Sequence, residues 1–200
     1  MALTYQFNKI SMQALRKQLK IRQTALPTLK SKEAALRLTV KKFKETLAIL
    51  KEKYNNKLNE INSFIRLWAE FPENIFYLKD VILEVKKIAG IKTPNLADLS
   101  YQITDFSRFA NPNWLNEGIK ILKEITELLT ELEIAQKRIE ILEYARKKTT
   151  QKVNLYEKVQ IPQYGEAILK IKRYLDDVEN LEKSAQKMTK QRQSVGGGTK

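Results

Sequence analysis

The side chains of this chain that are best suited to chemistry are its clustered carboxylates. Acidic residues gather at 176–179 and again at 131–133. Two carboxylates act as an acid and a base only in a pocket that moves their pKa values apart. Because Lys172 and Arg173 lie one turn away on an expected helix, the pattern predicts surface ion pairs rather than a catalytic centre.

Other catalytic and ligand-binding groups are missing from the composition. The chain has no Cys and no His, which excludes thiolate nucleophiles, disulfides, Cys/His zinc sites and an imidazole base. The run GGGTK at 196–200 superficially resembles a phosphate-binding loop, but the Gly-Lys-Thr order and the preceding strand are missing. We therefore expect a non-catalytic protein with no cofactor, no metal and no small-molecule substrate.

Positive charge is the strongest chemical signal in the chain. The 200 residues carry a formal net charge of +14, and most of the excess falls on the N-terminal arm. Such an arm is either a docking surface for an acidic partner or a solvated helix face. The residues concerned are Lys9, Arg16, Lys17, Lys20, Arg22, Lys30, Lys32, Lys41 and Lys42.

Nucleic-acid binding is the alternative function that this charge suggests. A basic arm can follow a phosphate backbone. However, no helix-turn-helix, basic-region zipper or zinc finger is legible. The aromatic residues are also not interleaved with the basic ones, as a base-stacking surface requires. We therefore expect no nucleic-acid partner, and keep a basic coiled coil that binds nucleic acid or a scaffold as the second hypothesis.

The elements that must position these charges are long helices. From Leu15 onward, apolar residues recur at steps of three and four, which predicts one continuous apolar stripe on a helix. Pro27 interrupts this first stripe and predicts a kink or a helix start. The stripe contains Leu15, Leu19, Leu26, Leu29, Leu36, Val40, Phe43, Leu47, Leu50, Tyr54, Leu58, Ile61, Ile65 and Trp68.

A second stripe follows residue 114 and leads to a prediction of the fold. Two stripes of similar length in one chain favour an antiparallel intramolecular pair, although each stripe could instead serve a homodimer. Pro162 should bend this second helix. The stripe contains Leu122, Ile125, Leu129, Leu132, Ile139, Leu142, Thr149, Val153, Tyr156, Ile168, Ile171, Leu175 and Val178.

The segment between the stripes has a different pattern. The run VILEV at 81–85 is rich in β-branched residues and is followed by a turn-like Ala89-Gly90. These features predict a short β-hairpin across 80–104, or alternatively a pair of short helical turns. Pro94 would confine its strand to an edge or a bulge. The overall prediction is a mainly α chain, in which a central β-hairpin or helical cap joins a long antiparallel two-helix coiled coil.

The predicted organisation has four parts and no membrane span. Residues 1–70 form the N-terminal coiled-coil helix, 71–114 the central hairpin or cap, 115–190 the C-terminal coiled-coil helix and 191–200 a disordered tail. No stretch reaches the roughly 20 apolar residues that a membrane-spanning helix needs.

Three segments of this sequence have a recognisable pattern. The most specific is KTTQKVNLYEKVQIPQYGEAILKIKRYLDDVE at 148–179, and the others are IAGIKTPNL at 88–96 and LKSKEAAL at 29–36. All three resemble the D subunit of the V-type and archaeal-type rotary ATPases. Within the first segment, the residues that carry the family pattern are Lys152, Val153, Asn154, Ile161, Pro162, Ile168, Ile171 and Leu175.

The resemblance implies a rotor axle and its partners. In that family the N- and C-terminal helices form an antiparallel coiled coil. One end enters the bore of the catalytic hexamer of A and B subunits, the middle contacts the F subunit, and the base sits on the subunit that couples to the membrane ring. The implied location is cytoplasmic, with an indirect membrane association through the ATPase complex.

Two sets of contact residues follow from this resemblance. The first set is positively charged and lies near both termini, which suggests that it contacts the bore of the hexamer. Its members are Arg16, Lys17, Lys20, Arg22, Lys187, Lys190 and Arg192. The central hairpin should contact the F subunit or regulate turnover, or it simply closes the end of the coil, and we leave these roles open. The hairpin residues concerned are Ile88, Gly90, Ile91, Pro94 and Leu96.

Overall fold

A computed structural model describes residues 4–72, 74–106 and 112–196. It contains two long helical stretches separated by an antiparallel β-hairpin. Among the described residues, no helix is both long enough and apolar enough to cross a membrane. The elements are α1 (Lys9–Asn62), α2 (Ile65–Trp68), β1 (Phe76–Ile88), β2 (Ile91–Ile103), α3 (Leu115–Asn154), a π-helical segment (Leu155–Gln160) and α4 (Ile161–Gly196).

Helix α1 begins at a side-chain cap and runs through its proline. The Asn8 Oδ1 atom accepts a hydrogen bond of 2.6 Å from the Ser11 backbone N–H, which satisfies one of the free donors at the helix start. Pro27 lies inside α1 rather than at its beginning. The predicted helix start at Pro27 is therefore wrong, because good helix formers on both sides keep the helix continuous.

The chain divides into two compact units, and α1 contributes to both. The first unit comprises residues 1–31 and 149–200. Its core contains Leu15, Tyr164, Ala167 and Ile171, and Ile171 is completely buried. Leu15 packs near Ile171 whereas Arg22 contacts Gln160. The contacted residue in the C-terminal segment has a lower number as the residue number on α1 increases. The two helical segments of this unit are therefore antiparallel.

The bend predicted at Pro162 takes the form of a π-helical segment. The Ile161 backbone N–H bonds to the Tyr156 carbonyl, which is a step of five residues instead of four. A proline cannot donate to the helical ladder and its ring crowds the preceding turn, so the turn before Pro162 widens. The expected distortion therefore lies between residues 155 and 160.

The second unit comprises residues 32–148 and contains the hairpin. Leu36, Val40 and Leu142 form its helical core. Two ion pairs join α1 to α3, Lys44–Glu143 at 2.5 Å and Lys57–Glu124 at 2.9 Å. The residue numbers on α3 fall as those on α1 rise, so these helical segments are also antiparallel. The apolar stripes are thus buried within one chain in each unit, as the intramolecular prediction requires.

The hairpin forms as two strands of 13 residues each, longer than the predicted 80–104 segment, and helical turns are not found there. Its turn has positive φ at Ala89 and at Gly90, of 50° and 79°. Two positive φ values in a two-residue loop are typical of a type I′ turn. Register shifts leave Lys79 and Ala97 unpaired as bulges.

Pro94 sits where the ladder does not need its missing donor. Counting outward from the Ile88–Ile91 pair, alternate pairs exchange hydrogen bonds, and Val85–Pro94 falls on a pair that does not. The Pro94 carbonyl is consequently free to accept a bond from outside the hairpin. The prediction that Pro94 needs an edge position agrees with a two-stranded sheet, in which both strands are edges.

An aromatic cluster closes the second unit around the start of α3. Leu115 is completely buried there, next to Ile75 and Ile119. The rings of Trp68 and Trp114 meet edge to face with centroids 5.4 Å apart. Gly118 permits this packing, because a Cβ atom there would lie 2.8 Å from Trp114 Cζ3.

The helices end at different places from those predicted. Helix α1 stops at Asn62, and only the four residues of α2 continue toward residue 70. Helix α4 continues to Gly196, beyond residue 190. Residues 197–200, which include most of the GGGTK run and the end of the predicted tail, lie outside the described residues. The main fold prediction is confirmed: the protein is mainly helical, with long N- and C-terminal helices and a small antiparallel hairpin between them.

Candidate partner-binding surfaces

The acidic cluster at 176–179 forms a surface ion pair. Asp176, Asp177 and Glu179 are all exposed on α4. Glu179 pairs with Lys183 at 2.8 Å, one turn further along, instead of with Lys172 or Arg173. The hydrogen bond from Lys183 lowers the pKa of Glu179. A general acid requires the opposite shift, so the ion pair does not prepare Glu179 for that role.

The basic face of α1 in the first unit is exposed and mostly without carboxylate partners. No Asp or Glu occurs in the first 31 residues. Within the described residues Lys30 pairs with Glu157 at 2.6 Å, whereas Arg16, Lys17 and Lys20 form no ion pair. An open groove of about 670 Å³ lies beside the last two and is also lined by Lys152 and Tyr156. This surface can bind an acidic partner.

Arg22 lies half-buried between the two helices and differs from the other predicted bore residues. Its Nε donates to Gln160 Oε1 at 2.6 Å, and its guanidinium lies 4.7 Å from the centroid of the Tyr164 ring. A second aromatic ring, that of Tyr156, lies 5.7 Å away. The charge fills a polar position in the apolar stripe and fixes the register of the two helices. Its partners are therefore intramolecular.

The three C-terminal cations lie far along α4 from the three exposed cations of α1. Leu15 packs near Ile171, and Lys187 follows Ile171 by 16 positions, or about 24 Å at the helical rise. The antiparallel pairing thus does not bring Lys187, Lys190 and Arg192 next to Arg16, Lys17 and Lys20. Every residue from 179 to 193 is exposed. This stretch therefore has all its sides available to a partner.

The end of α4 also exposes apolar side chains. Leu181 is 70% exposed and Met188 is 59% exposed. A helix that packs against nothing gains no tertiary stabilisation, and helix propensity alone gives marginal stability. We expect such a segment to be buried by another protein.

The hairpin residues predicted to contact a partner lie mostly against the chain's own helices. Ile88 and Ile91 pack on the core of the second unit. Leu96 faces a groove shared with Phe43 and Ala135, and Gly90 is exposed at the turn. The hairpin therefore lies alongside the helices of its unit, and most of its exposed apolar side chains are on β1. Those of β1 are Tyr77, Leu78, Ile82, Leu83 and Val85, and Ile103 of β2 is also exposed.

Arg138 holds the hairpin in this position, although no sequence motif marks it. Its Nε and Nη2 donate to the Pro94 carbonyl at 3.1 and 3.0 Å. Nη2 also donates to Asn95 Oδ1 at 2.6 Å, and the guanidinium lies 5.2 Å from the centre of the Phe43 ring. Burial lowers the pKa of Arg138. In the sequence, Arg138 stands out only as a single arginine beside an apolar stripe. Its acceptors lie more than 40 positions away, so no local motif includes them.

The family-pattern residues have structural positions in the first unit. Val153 and Ile171 are buried, and Ile168 and Leu175 pack around the core. Lys152 lies 5.8 Å from the Tyr156 ring centroid. The Val-Asn and Ile-Pro pairs of the pattern stand directly before and after the π-helical segment. The pattern therefore describes a helix seam and its distortion.

Comparison with known proteins gives a consistent result. Residues 11–191 match the sequence profile of the ATP synthase D-subunit family. The D subunit of a V-type ATP synthase from Borreliella burgdorferi is 35% identical over 175 residues, which cover 84% of this chain and 86% of that protein. Proteins of the same name from Chlamydia pneumoniae and Chlamydia muridarum are 26% and 27% identical. The alignments cover 96% of this chain and 94% and 97% of those proteins.

Proposed function

Because the chain belongs to the ATP synthase D-subunit family, we propose that it is the central rotor shaft of a V/A-type rotary ATPase. As a non-catalytic subunit on the cytoplasmic face, it transmits torque between the hexamer of A and B subunits and the ion-translocating ring of the membrane. Its base sits on the subunit that couples to that ring. The observation that carries this proposal is the long, exposed and partly apolar end of α4, which needs a surrounding protein to bury it.

The buried seams suit this mechanical role. Leu36, Leu142 and Ile171 are completely buried, and close-packed interiors resist sliding of one helix past another. Torque applied at one end is then carried by side-chain packing rather than by flexible segments. Rotor angle would alter nucleotide affinity through the contacts that differ among the three similar catalytic interfaces.

The cations of the first unit are the proposed contacts inside the hexamer. Arg16, Lys17 and Lys20 form one group on α1, and Lys187, Lys190 and Arg192 form a second group further along α4. Arg22 contributes indirectly by fixing the register of the helices. The two groups would therefore meet the hexamer at two different depths of the bore.

The test is charge reversal followed by reconstitution with A and B subunits. Replacing Arg16, Lys17 and Lys20 together by Glu should weaken assembly and lower the ATPase rate of the head, and the α4 group should do the same. A matched control replaces Lys51, Lys53 and Lys147, exposed lysines of the second unit, by Glu. Assembly and turnover that stay equal to those of the control would disprove the bore assignment.

The hairpin is the proposed contact for the F subunit. Because Ile88 and Ile91 are engaged by the chain's own core, we place the contact on β1, with Leu83 and Val85, which share one face of the strand, at its centre. These side chains are 52% and 64% exposed. Isolated two-stranded sheets with exposed apolar faces are only marginally stable, so a partner here would stabilise the hairpin.

The hairpin contact is tested by binding of the purified F subunit. The double substitution Leu83→Ser and Val85→Ser should reduce the affinity measured by calorimetry. The control changes Ile141 and Tyr144 of α3, which are also exposed, to Ser. Equal affinities in the two variants would remove the F subunit from this surface and leave the hairpin a purely intramolecular role.

A further inference from the structure

A second groove lies in the 32–148 unit, and its lining contains none of the residues proposed above to contact the hexamer or the F subunit. It has a volume of about 450 Å³ and opens between α1 and α3. Its lining mixes basic, acidic and small apolar side chains. The lining residues are Arg37, Val40, Lys41, Lys44, Glu45, Ala48, Glu143 and Arg146.

Two cations of this groove lack an ionic partner. Lys44 is neutralised by Glu143 at 2.5 Å, and Arg37 by Glu33 at 2.8 Å. Within the described part of the chain, neither Lys41 nor Arg146 forms an ion pair. Glu45 lines the same groove without pairing with Arg146. The groove therefore retains an unpaired lysine and an unpaired arginine.

Arg146 is unusual because part of its guanidinium is already dehydrated. Its Nε atom is buried and has no hydrogen-bond acceptor. A buried donor left unsatisfied is unfavourable, and in native structures such donors are nearly always satisfied. Because Nε is enclosed by the chain itself, an acceptor from outside would bind the Nη edge of the guanidinium, and a carboxylate matches that planar fork.

The surroundings of the two cations indicate a protein segment as the donor of that carboxylate. Leu38 and Ile49 lie one turn from Lys41 and Glu45 on α1 and are 64% and 55% exposed. A small inorganic anion would leave these apolar side chains in water. An acidic side chain with apolar neighbours would cover them and pair with the charge at the same time.

We propose that this groove binds an Asp or Glu side chain of a neighbouring subunit, whose carboxylate contacts Arg146 and Lys41 and whose apolar neighbours cover Leu38 and Ile49. The inference rests on the proposed function, since the rotary complex supplies the neighbouring subunit. It adds a specific electrostatic contact in the second unit to the contacts proposed for the hexamer bore and the hairpin.

Photo-crosslinking identifies the occupant in the assembled complex. Ala48 lines the groove and is exposed, so it can be replaced by benzoylphenylalanine without disturbing the core. Illumination followed by mass spectrometry should join this position to a peptide of another subunit that contains Asp or Glu. Recovery of intact complexes with no crosslink to another subunit would contradict the proposal.

A matched pair of substitutions then measures the contact. Arg146→Gln should weaken binding of the crosslinked subunit by about tenfold or more, because a desolvated charge pair is lost. Lys147→Gln removes the same charge from an exposed neighbour outside the groove and should change the affinity less than about twofold. Arg146→Glu should abolish binding, and replacing the partner's carboxylate by Arg should restore it.

Two further results separate a carboxylate contact from a small-anion site and from failure of the proposed function. Calorimetric titration with inorganic phosphate should give no binding that depends on Arg146. Phosphate binding lost in Arg146→Gln, with subunit affinity unchanged, would overturn the proposal in favour of a small-anion site. If the unsubstituted chain recovers no other component of a rotary ATPase, the proposed function itself fails, and the carboxylate contact falls with it.

Discussion

At the residue scale, each unit contains an arginine that links separate elements of the unit through hydrogen bonds and an aromatic ring. Arg22 lies between Gln160 and the rings of two tyrosines in the first unit. Arg138 joins the Pro94 carbonyl to the helices of the second unit. Both keep an aromatic ring on one side of the guanidinium and an oxygen acceptor at its edge, which is the arrangement that best compensates for a partly dehydrated cation.

Substitution of Arg138 tests its role in holding the hairpin. Arg138→Met should destabilise the chain by about 2 kcal/mol, because the Pro94 carbonyl loses its donor and the cation–π contact with Phe43 is lost. Hydrogen exchange of hairpin amides should accelerate more than that of α3. Lys137→Met, at an exposed neighbour with only a surface ion pair, should shift stability by less than about 0.5 kcal/mol. Equal effects would refute the anchoring role.

The raised pKa of Tyr101 leads us to predict that the folded protein loses stability at alkaline pH. Burial raises its pKa above 10.0, with further contributions from Glu127 and Asp98. The folded state therefore keeps a proton that the unfolded state loses. Stability from this group is complete below pH 10 and declines as the pH rises through the folded pKa.

The prediction is checked by denaturation between pH 8 and 11. The loss above pH 10 should be smaller in Tyr101→Phe than in the unsubstituted protein. Tyr144→Phe, at a ring that is 65% exposed, is the control and should follow the unsubstituted curve. A Tyr101→Phe curve parallel to the original would show that other groups account for the alkaline loss.

At the element scale, both helices of the first unit are irregular at the same level. Pro27 removes a donor from α1, and the π-helical segment interrupts the opposite helix. The contacts Arg22–Gln160 and Lys30–Glu157 lie on either side of Pro27 and both reach the π-helical segment. Side-chain bonds thus connect the helices where their main-chain ladders are weakest.

Replacing Pro27 should stabilise the first unit where α1 lies beside the π-helical segment. Pro27 is exposed, so Pro27→Ala restores a helical hydrogen bond without altering the core. Proline in a helix interior costs about 3 kcal/mol, and part of the gain, about 0.4–1 kcal/mol, is offset by the freer unfolded chain.

We expect a net increase of about 2 kcal/mol in the free energy of unfolding, with slower amide exchange at residues 24–31. Thr28→Ala, at the next exposed position, should give less than about 0.7 kcal/mol. Stability that is unchanged or lower in Pro27→Ala would show that the proline itself stabilises the folded chain, through its packing or its fixed φ.

At the scale of the whole molecule, the net charge of +14 separates the proposed function from nucleic-acid binding. Binding driven by this charge alone should be weak and should vanish as salt rises, since it depends on counterion release. Titration with duplex and single-stranded DNA should show no sequence preference and no binding tighter than micromolar at near-physiological salt. Salt-resistant, sequence-selective binding would favour the nucleic-acid hypothesis over the rotor shaft.

The sequence by itself determined the long helices and favoured their intramolecular pairing, because the apolar stripe is a local pattern with a fixed period. Leu36, Leu142 and Ile171 could be placed in a buried seam from their spacing alone, and the structure buries them completely. The sequence also predicted the Ala89-Gly90 turn, since glycine accepts the positive φ that a two-residue hairpin loop needs. The Ile161-Pro162 pair predicted a distortion of the helix, which the structure shows as the π-helical segment before residue 162.

Only the tertiary structure decided where the polar side chains point and what they bind. The partners of Arg22 and Arg138 lie 138 and 44 positions away, and no local pattern specifies them. The same is true of the hairpin, whose apolar residues suit either a partner or the chain's own helices until the fold sets their direction. Periodicity is a property of neighbouring residues, whereas hydrogen bonds and ion pairs depend on distances that exist only once the chain has folded.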